Sequence, residues 1–274
     1  MEGGQLRELA AVREFTLLGT GAAEDGSIPH VKIVETAEAV VAQVDAARRL
    51  GARLITIVGT AVLRSASNAD ELAAEVERMT GFPLRVLSEA AEAELSFLGA
   101  THASELDPGG APVAVADVGG GSSELAVGTV GERPTWWHSI EIGSAALARE
   151  CISGDPPTSE EIARCRRRAA AAVGALHPPP VASALAVGGS AMTLVALAGE
   201  RLDVEELERS LGVLAHTSCA DVARDHDIDV RRVKLLPAGI AILGEIAGLL
   251  GVPLEVARGG LREGVILRLA SAAL

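Results

Sequence analysis

Residues 115 to 124 read Val-Ala-Asp-Val-Gly-Gly-Gly-Ser-Ser-Glu, a short apolar run that closes on an aspartate, three glycines, two hydroxyls and a glutamate. A run of this kind predicts a buried strand that ends where the glycines arrive, which carries Asp117 to the strand tip. Gly119, Gly120 and Gly121 then permit a tight turn that brings bare N–H groups against an anion such as phosphate. Ser122 and Ser123 add hydroxyl donors, while Asp117 and Glu124 offer oxygen ligands to a hydrated Mg²⁺ or hold a water beside the anion. Taken alone, the same letters also describe a plain glycine-rich hairpin, and both readings stand at this point.

Composition narrows the setting of this turn. With 274 residues, 49% hydrophobic and 22% charged, the chain is long and apolar enough for two cores and too apolar for wholesale disorder. Aromatic residues make up 2% and tyrosine is absent, so the cores must be packed from Ala, Val, Leu and Ile, with few rings left for stacking bases. A balance of 24 basic to 37 acidic residues gives a net charge of -13, the wrong sign for a general nucleic-acid binder. An anionic ligand must therefore be met by local N–H groups, particular arginines or a metal ion. Cys151, Cys165 and Cys219 are odd in number and lack zinc-site spacing, which predicts free thiols in a reducing, cytoplasmic compartment. The polar opening MEGGQLREL carries no signal-peptide pattern, and the uncharged stretch 181–199 is split by serines and Gly188-Gly189, so neither a signal peptide nor a membrane span is expected.

Periodicity then orders the chain. The pattern predicts a strand over Leu6 to Leu18 ending at Gly19 and Gly21, a helix over 31–50 with Ile33, Ala37, Val40, Val41, Val44 and Ala47 on one stripe, and a strand over 54–58. A helix from Asn68 or Asp70 to Met79, a strand over 84–87 and a helix over 89–99 complete the first half. The Pro- and Gly-rich run 106–112 is the expected linker. Beyond it come strands at 113–117, 124–128 and 135–141, helices at 144–150 and 159–176, a strand at 184–187, and a mainly helical remainder including 235–250 and 261–269. Alternating strands and helices favour an α/β architecture with a largely parallel sheet.

Separate segments, in order, carry a resemblance: Val58-Gly-Thr-Ala-Val-Leu-Arg-Ser-Ala-Ser-Asn68, Val86 through Gly99, Asp117 through Glu124, Ser139-Ile-Glu-Ile-Gly143, Val187-Gly-Gly-Ser-Ala-Met-Thr193, Leu236 through Leu243, and Gly259-Gly-Leu-Arg-Glu-Gly264. Together they resemble the exopolyphosphatase and guanosine pentaphosphate phosphatase (Ppx/GppA) family in its short form. The resemblance implies an α/β fold of two ribonuclease H-like domains of the actin-like ATPase superfamily, residues 1–110 and 111–274, with phosphate bound in an interdomain cleft. It implies Mg²⁺-assisted hydrolysis of a terminal phosphate from inorganic polyphosphate or guanosine pentaphosphate, and makes a homodimer plausible. Carried over by position, Glu92 matches the general base for the attacking water. Asp117 and Glu124 match acidic positions around metal and water, Gly119, Gly120, Gly121 and Ser122 the second phosphate loop, and Arg64 and Asn68 the pair that meets the phosphate chain. Gly188 and Gly189 read either as a plain strand-to-helix turn or, with Ser190, as opening a further anion or nucleotide site at the helix N-terminus.

The departures from the family pattern are as informative. A first strand with an Asp-x-Gly-Ser-Asn-Ser loop does not precede Leu6, for which a late start site is the favoured reading, with truncation and abandoned catalysis as the others. Ala91, Glu92, Ala93 and Glu94 stand where the family shows Glu-Glu-Ala-Arg, and Ala146 and Lys234 replace a basic and an acidic position. These changes motivate an alternative, a non-catalytic binder or sensor of polyphosphate or guanosine polyphosphates; an actin-like sugar or acetate kinase is a weaker third. Two tempting clusters read as ordinary surface: His216 to Asp227 fits no closed zinc pattern, and Arg164, Arg166, Arg167 and Arg168 lie beside Glu160 and Glu161 on a solvated helix face.

Overall fold

The computed structural model of the chain describes residues 6–16, 18, 25–104, 106 and 110–272. Its contacts divide it into two compact units, Met1–Ser88 and Glu89–Leu274.

In the first unit the helix α1 (His30–Arg49) buries Ile33, Ala37 and Val44, three positions of the expected stripe. It packs with α3 (Ala69–Thr80), whose Leu72 and Val76 are fully buried in the same core. Gly81, in the left-handed conformation at φ 77°, ends α3 where the Gly-Phe-Pro break was expected. The strands β1 (Ile57–Gly59) and β2 (Leu84–Val86) pair in parallel, with the short helix α2 (Ala61–Ser65) between them. β1 starts later than the apolar run suggested: Leu54 is exposed, because the ladder with β2 spans only the register Ile57 to Leu84 through Gly59 to Val86. The expected first strand does not form among the described residues 6–16 and 18, and Gly19 and Gly21 lie outside the described residues.

The second unit carries a six-stranded sheet. Its elements are α4 (Glu89–His102), β3 (Val113–Val118), β4 (Ser123–Gly128), β5 (Trp136–Ile140), α5 (Ser144–Cys151), α6 (Ser159–Val173), β6 (Ser183–Val187), α7 (Gly188–Ala198), β7 (Arg201–Leu202), α8 (Val204–His216), α9 (Cys219–His226), α10 (Val230–Val233), α11 (Leu236–Leu250), β8 (Leu254–Val256) and α12 (Leu261–Ala272). The strand order is β5-β4-β3-β6-β8-β7, with β3, β6 and β8 parallel and β4 antiparallel to both neighbours. The sequence reading missed β7 and β8, which are two and three residues long and too short to show a period of their own.

Alternation along β3 decides what lies on each face. Ala114, Ala116 and Val118 join the larger core under the α11 side, whereas Val113 and Val115 pack with Ala93, Phe97 and Ala100 of α4. This packing moves the boundary. The expected division at residue 110 kept α4 with the first half, but α4 buries its apolar face on β3, β4 and β6 and lies along α12, so the second unit begins at Glu89. Of the expected linker, residues 107–109 lie outside the described residues.

The turn joining α5 to α6 is held by one carboxylate. Glu161 accepts hydrogen bonds from Ser153 N–H (2.7 Å), Ser153 Oγ (2.7 Å) and Gly154 N–H (3.1 Å) on Oε1, and from Thr158 N–H (2.8 Å) and Thr158 Oγ (3.0 Å) on Oε2. With Thr158 capping in return, this is a capping box that also organises the preceding loop. These donors, Ser153 Oγ foremost, hold the Glu161 carboxyl far below the usual range. A depressed native value gives stability that is present above the unfolded-state value and is lost as the pH falls toward the native one. Glu161→Gln is therefore expected to lower the melting temperature by several degrees at neutral pH. In a descending pH series of thermal melts, the gap to wild type should narrow below the ordinary glutamate value of 4.5; a gap that stays constant into acid would contradict this account.

Candidate active site

The candidate site of the second unit lies at the tips of β3 and β4, on the face that α4 covers. Asp117 follows Val113 and Val115 in the period-two alternation, and Glu124 is its register partner across the antiparallel ladder. Ser139 on β5 is in turn the register partner of Glu124. Three polar side chains thus share one end of the sheet. From above, α4 brings Glu92, which is buried, and Ser96, which is 1% exposed, one helical turn apart.

The hydrogen bonds define this constellation. Ser96 Oγ donates to Asp117 Oδ2 at 2.5 Å, Ser122 Oγ to Glu124 Oε1 at 2.7 Å, and Ser139 Oγ to the same oxygen at 3.1 Å. The Glu124 carboxyl is pushed up to about 7, first by burial and then by the charge of Glu92, with Asp117 adding to the rise and the two hydroxyls opposing it. Asp117 also lies above the usual carboxylate range; burial is the chief cause, Ser96 opposes it, and the charge of Glu263 adds to it. Glu124 thus feels the negative charge of Glu92 and Asp117, and Asp117 that of Glu263.

The turn between the strands is built to approach other backbone closely. Gly119 N–H donates to Ser122 O at 3.1 Å and closes it. The carbonyls of Gly119 and Gly120 are taken by the first turn of α5: Ser144 N–H reaches Gly119 O at 2.9 Å, and Ala145 and Ala146 N–H reach Gly120 O at 3.0 and 2.9 Å. Helix-end donors are thus consumed by the loop's acceptors. The N–H groups of Gly120, Gly121 and Ser122 have no hydrogen-bond partner among the described residues. The expectation that this turn presents bare N–H groups thus agrees with the backbone.

Gly188, Gly189 and Ser190 form the first turn of α7, directly after β6. Gly188 has φ +90°, and a Cβ there would lie 2.7 Å from Asp117 Oδ1 and from Val118 O, so only glycine lets the chain pass beside Asp117. Arg232 Nη1 stands 3.4 Å from Gly189 O. Ser190 is buried toward Gly239 of α11, where a Cβ would come 2.5 Å from its Oγ.

In the first unit Arg64 lies on α2 and donates through Nη1 to Leu87 O at 3.1 Å. Asn68 bridges the backbone of Ile28, its Oδ1 accepting from Ile28 N–H at 2.8 Å and its Nδ2 donating to Ile28 O at 3.1 Å. That reciprocal bridge gives Asn68 a task in holding the entry to α1. Glu94, where the family shows arginine, pairs with Arg133 at 3.1 Å and with Arg268. The arginines of α6 lie on an ion-paired face, Arg166, Arg167 and Arg168 pairing with Glu208, Glu160 and Glu150.

The sequence profile of the Ppx/GppA phosphatase family matches residues 2–273. The chain belongs to this family. It is 31% identical over 169 residues to exopolyphosphatase 2 of Mycobacterium tuberculosis, covering 60% of this chain and 52% of that protein. It is 30% identical over 225 residues to the guanosine-5'-triphosphate,3'-diphosphate pyrophosphatase of Aeromonas hydrophila, covering 77% of this chain and 44% of that protein. The chain thus spans about half the length of these two curated relatives. Among solved structures it is similar to the Ppx/GppA enzyme of Aquifex aeolicus, with a TM-score of 0.75, 26% identity, and coverage of 93% of this chain and 88% of that one. No helix among the described residues is long and apolar enough to cross a membrane.

Sequence reasoning missed Ser96, whose only signal was its place four residues after Glu92. It also passed over Ser139 and Glu263, although both lie inside segments that carried the family resemblance. Gly143 supplies the test of the loop. A Cβ there would sit 2.5 Å from Gly120 C and 2.6 Å from Gly120 O and Gly121 N, all backbone atoms that cannot step aside. Gly143→Ala should destabilise the chain by about 1–3 kcal/mol, as overpacking does, measured by denaturant melts. An unchanged midpoint would show that the loop is not tightly held against α5.

Proposed function

We propose that this chain is a phosphohydrolase that releases the terminal phosphate of inorganic polyphosphate or guanosine pentaphosphate. The observation that carries the reading is the meeting of Glu92, Asp117 and Glu124 beside a glycine turn that offers the N–H groups of Gly120, Gly121 and Ser122. The names of the two relatives, one an exopolyphosphatase and the other a pyrophosphatase acting on guanosine-5'-triphosphate,3'-diphosphate, support this substrate class.

In this reading the turn receives the non-bridging oxygens of the terminal phosphoryl group, for which aligned backbone N–H groups cost no reorganisation. The carboxylate of Glu92 orients a water and accepts its proton as the water oxygen bonds to phosphorus. The bond from phosphorus to the bridging oxygen breaks, orthophosphate forms, and the chain departs one phosphate shorter. Gly188, Gly189 and Ser190 at the start of α7 are assigned to the rest of the phosphate chain.

The family resemblance implies Mg²⁺, and the donor set suits it. Asp117 and Glu124 are hard oxygen ligands opposite each other on the ladder, and Mg²⁺ takes one or two carboxylates while keeping waters and substrate oxygens. When bound there, the ion supplies positive charge to the phosphoryl oxygens. Asp117 and Glu124 would hold it, and their mutual repulsion would be relieved.

Glu92→Gln keeps the size of the side chain and removes the base. It is expected to lower phosphate release from polyphosphate by about 10²–10⁴-fold with the circular dichroism spectrum unchanged. Equal rates for wild type and variant would remove Glu92 from the mechanism. Calorimetric binding of polyphosphate by a wild type that turns nothing over would instead establish the non-catalytic binder.

A further inference from the structure

Asp117 is held from two sides, and both contacts come from outside its own strand. Its Oδ1 lies against Gly188, where a Cβ would approach to 2.7 Å, and its Oδ2 accepts the Ser96 hydroxyl at 2.5 Å. Ser96 is 1% exposed, and its Oγ–H has a carboxylate as partner, so this is a charge-assisted bond in a dry place. Ser96 stands at i+4 from Glu92, on the same side of α4, with Gly99 one turn further on.

Gly99 fixes how near this side of α4 comes to its neighbours. A Cβ on Gly99 would collide with Gly260 O and would stand 2.7 Å from Gly264 N, and a Cβ on Gly264 would collide with Leu95 O. α4 and α12 therefore touch backbone to backbone. The depth at which α4 sits over the sheet is set by glycines, and at that depth the short serine side chain just reaches Asp117.

We infer that Ser96 is a positioning residue of the active site: its hydroxyl fixes the orientation of the Asp117 carboxylate, and it ties the strand that bears Asp117 to the helix that bears Glu92. The inference rests on the phosphohydrolase reading for its kinetic effect, and on the assignment of Asp117 to Mg²⁺ for its effect on binding. Freed from Ser96, the carboxylate gains rotational freedom and the two strand-end carboxylates lose their set spacing. Substrate contacts to the glycine turn are untouched. The loss should therefore fall on kcat and on metal affinity, and not on KM.

The experiment compares wild type, Ser96→Ala and Ser96→Thr. Two quantities are read: steady-state phosphate release from inorganic polyphosphate, and calorimetric titration with Mg²⁺ in the absence of substrate. Removing the partner that orients a metal ligand costs about 10–100-fold in affinity or activity. Ser96→Ala should lower kcat and weaken Mg²⁺ binding by factors in that range with KM little changed, and Ser96→Thr, which keeps the hydroxyl, should recover both. Wild-type kcat and Mg²⁺ affinity in Ser96→Ala would overturn the inference, as would a rise in KM alone. If wild type binds Mg²⁺ but releases no phosphate, the hydrolase reading fails by itself; the calorimetric comparison then decides for Ser96, weakened binding in Ser96→Ala supporting its role and equal binding refuting it. A wild type that takes up no Mg²⁺ overturns the inference outright.

Discussion

Two carboxylates stand opposite each other at the end of an antiparallel ladder, and the rest of the site is arranged around that fact. Like charges directly across a ladder are destabilising, and burial makes the repulsion worse. The chain tolerates Asp117 and Glu124 by giving each a hydroxyl: Ser96 to the first, Ser122 and Ser139 to the second. These hydroxyls only partly offset the strain, since the Glu124 carboxyl still lies near 7. A cluster held in this state gains more from a cation than a solvated pair would. The electrostatic cost in the ligand-free fold and the capacity to take up Mg²⁺ in the proposed reaction are the same property.

What keeps the cluster in place is mostly backbone. Gly188 passes beside Asp117 where no side chain fits, Gly143 lets the α5 end meet the glycine turn, and Gly99 with Gly264 brings α4 against α12. Backbone contacts of this kind have no rotamers to hop between, so they fix spacing more rigidly than side-chain packing does. The arrangement has a cost in unfolded-state entropy, because each glycine is freer in the unfolded chain than any other residue. The close packing of Ala-, Val- and Leu-rich cores on both faces of the sheet offsets that cost.

The second unit was largely legible in the sequence, since its central strands are covered on both faces and read as continuous apolar runs ended by glycines. Asp117 at the tip of β3 and the turn over Gly119 to Ser122 follow from that pattern alone. The boundary at Ser88 was not legible. Periodicity shows that α4 is a helix with an apolar face, but not which sheet that face covers, and the Pro- and Gly-rich run near 110 drew the division there. The role of Ser96 was hidden for a related reason. A serine inside a helix is read as neutral until the partner across the layer is known, and that partner lies 21 residues away on a strand. Asn68, which the resemblance matched to a phosphate-binding position, also has a structural task that the sequence did not reveal, since its amide bridges the backbone of Ile28.

The charge balance bears on how a polyanion would be met. A chain of net charge -13 repels a long phosphate chain at a distance, so long-range steering works against association and short-range contacts must supply the attraction. The arginines of α6 do not form a free basic track, because Arg166, Arg167 and Arg168 are engaged with Glu208, Glu160 and Glu150. Glu94 likewise holds Arg133 and Arg268 beside the helix that bears Glu92, at the position where the family carries its own arginine. Positive charge near the site is therefore already partly neutralised by the protein itself. Contacts made at close range, the N–H groups of the glycine turn among them, therefore carry the recognition of a polyanion in the proposed reaction.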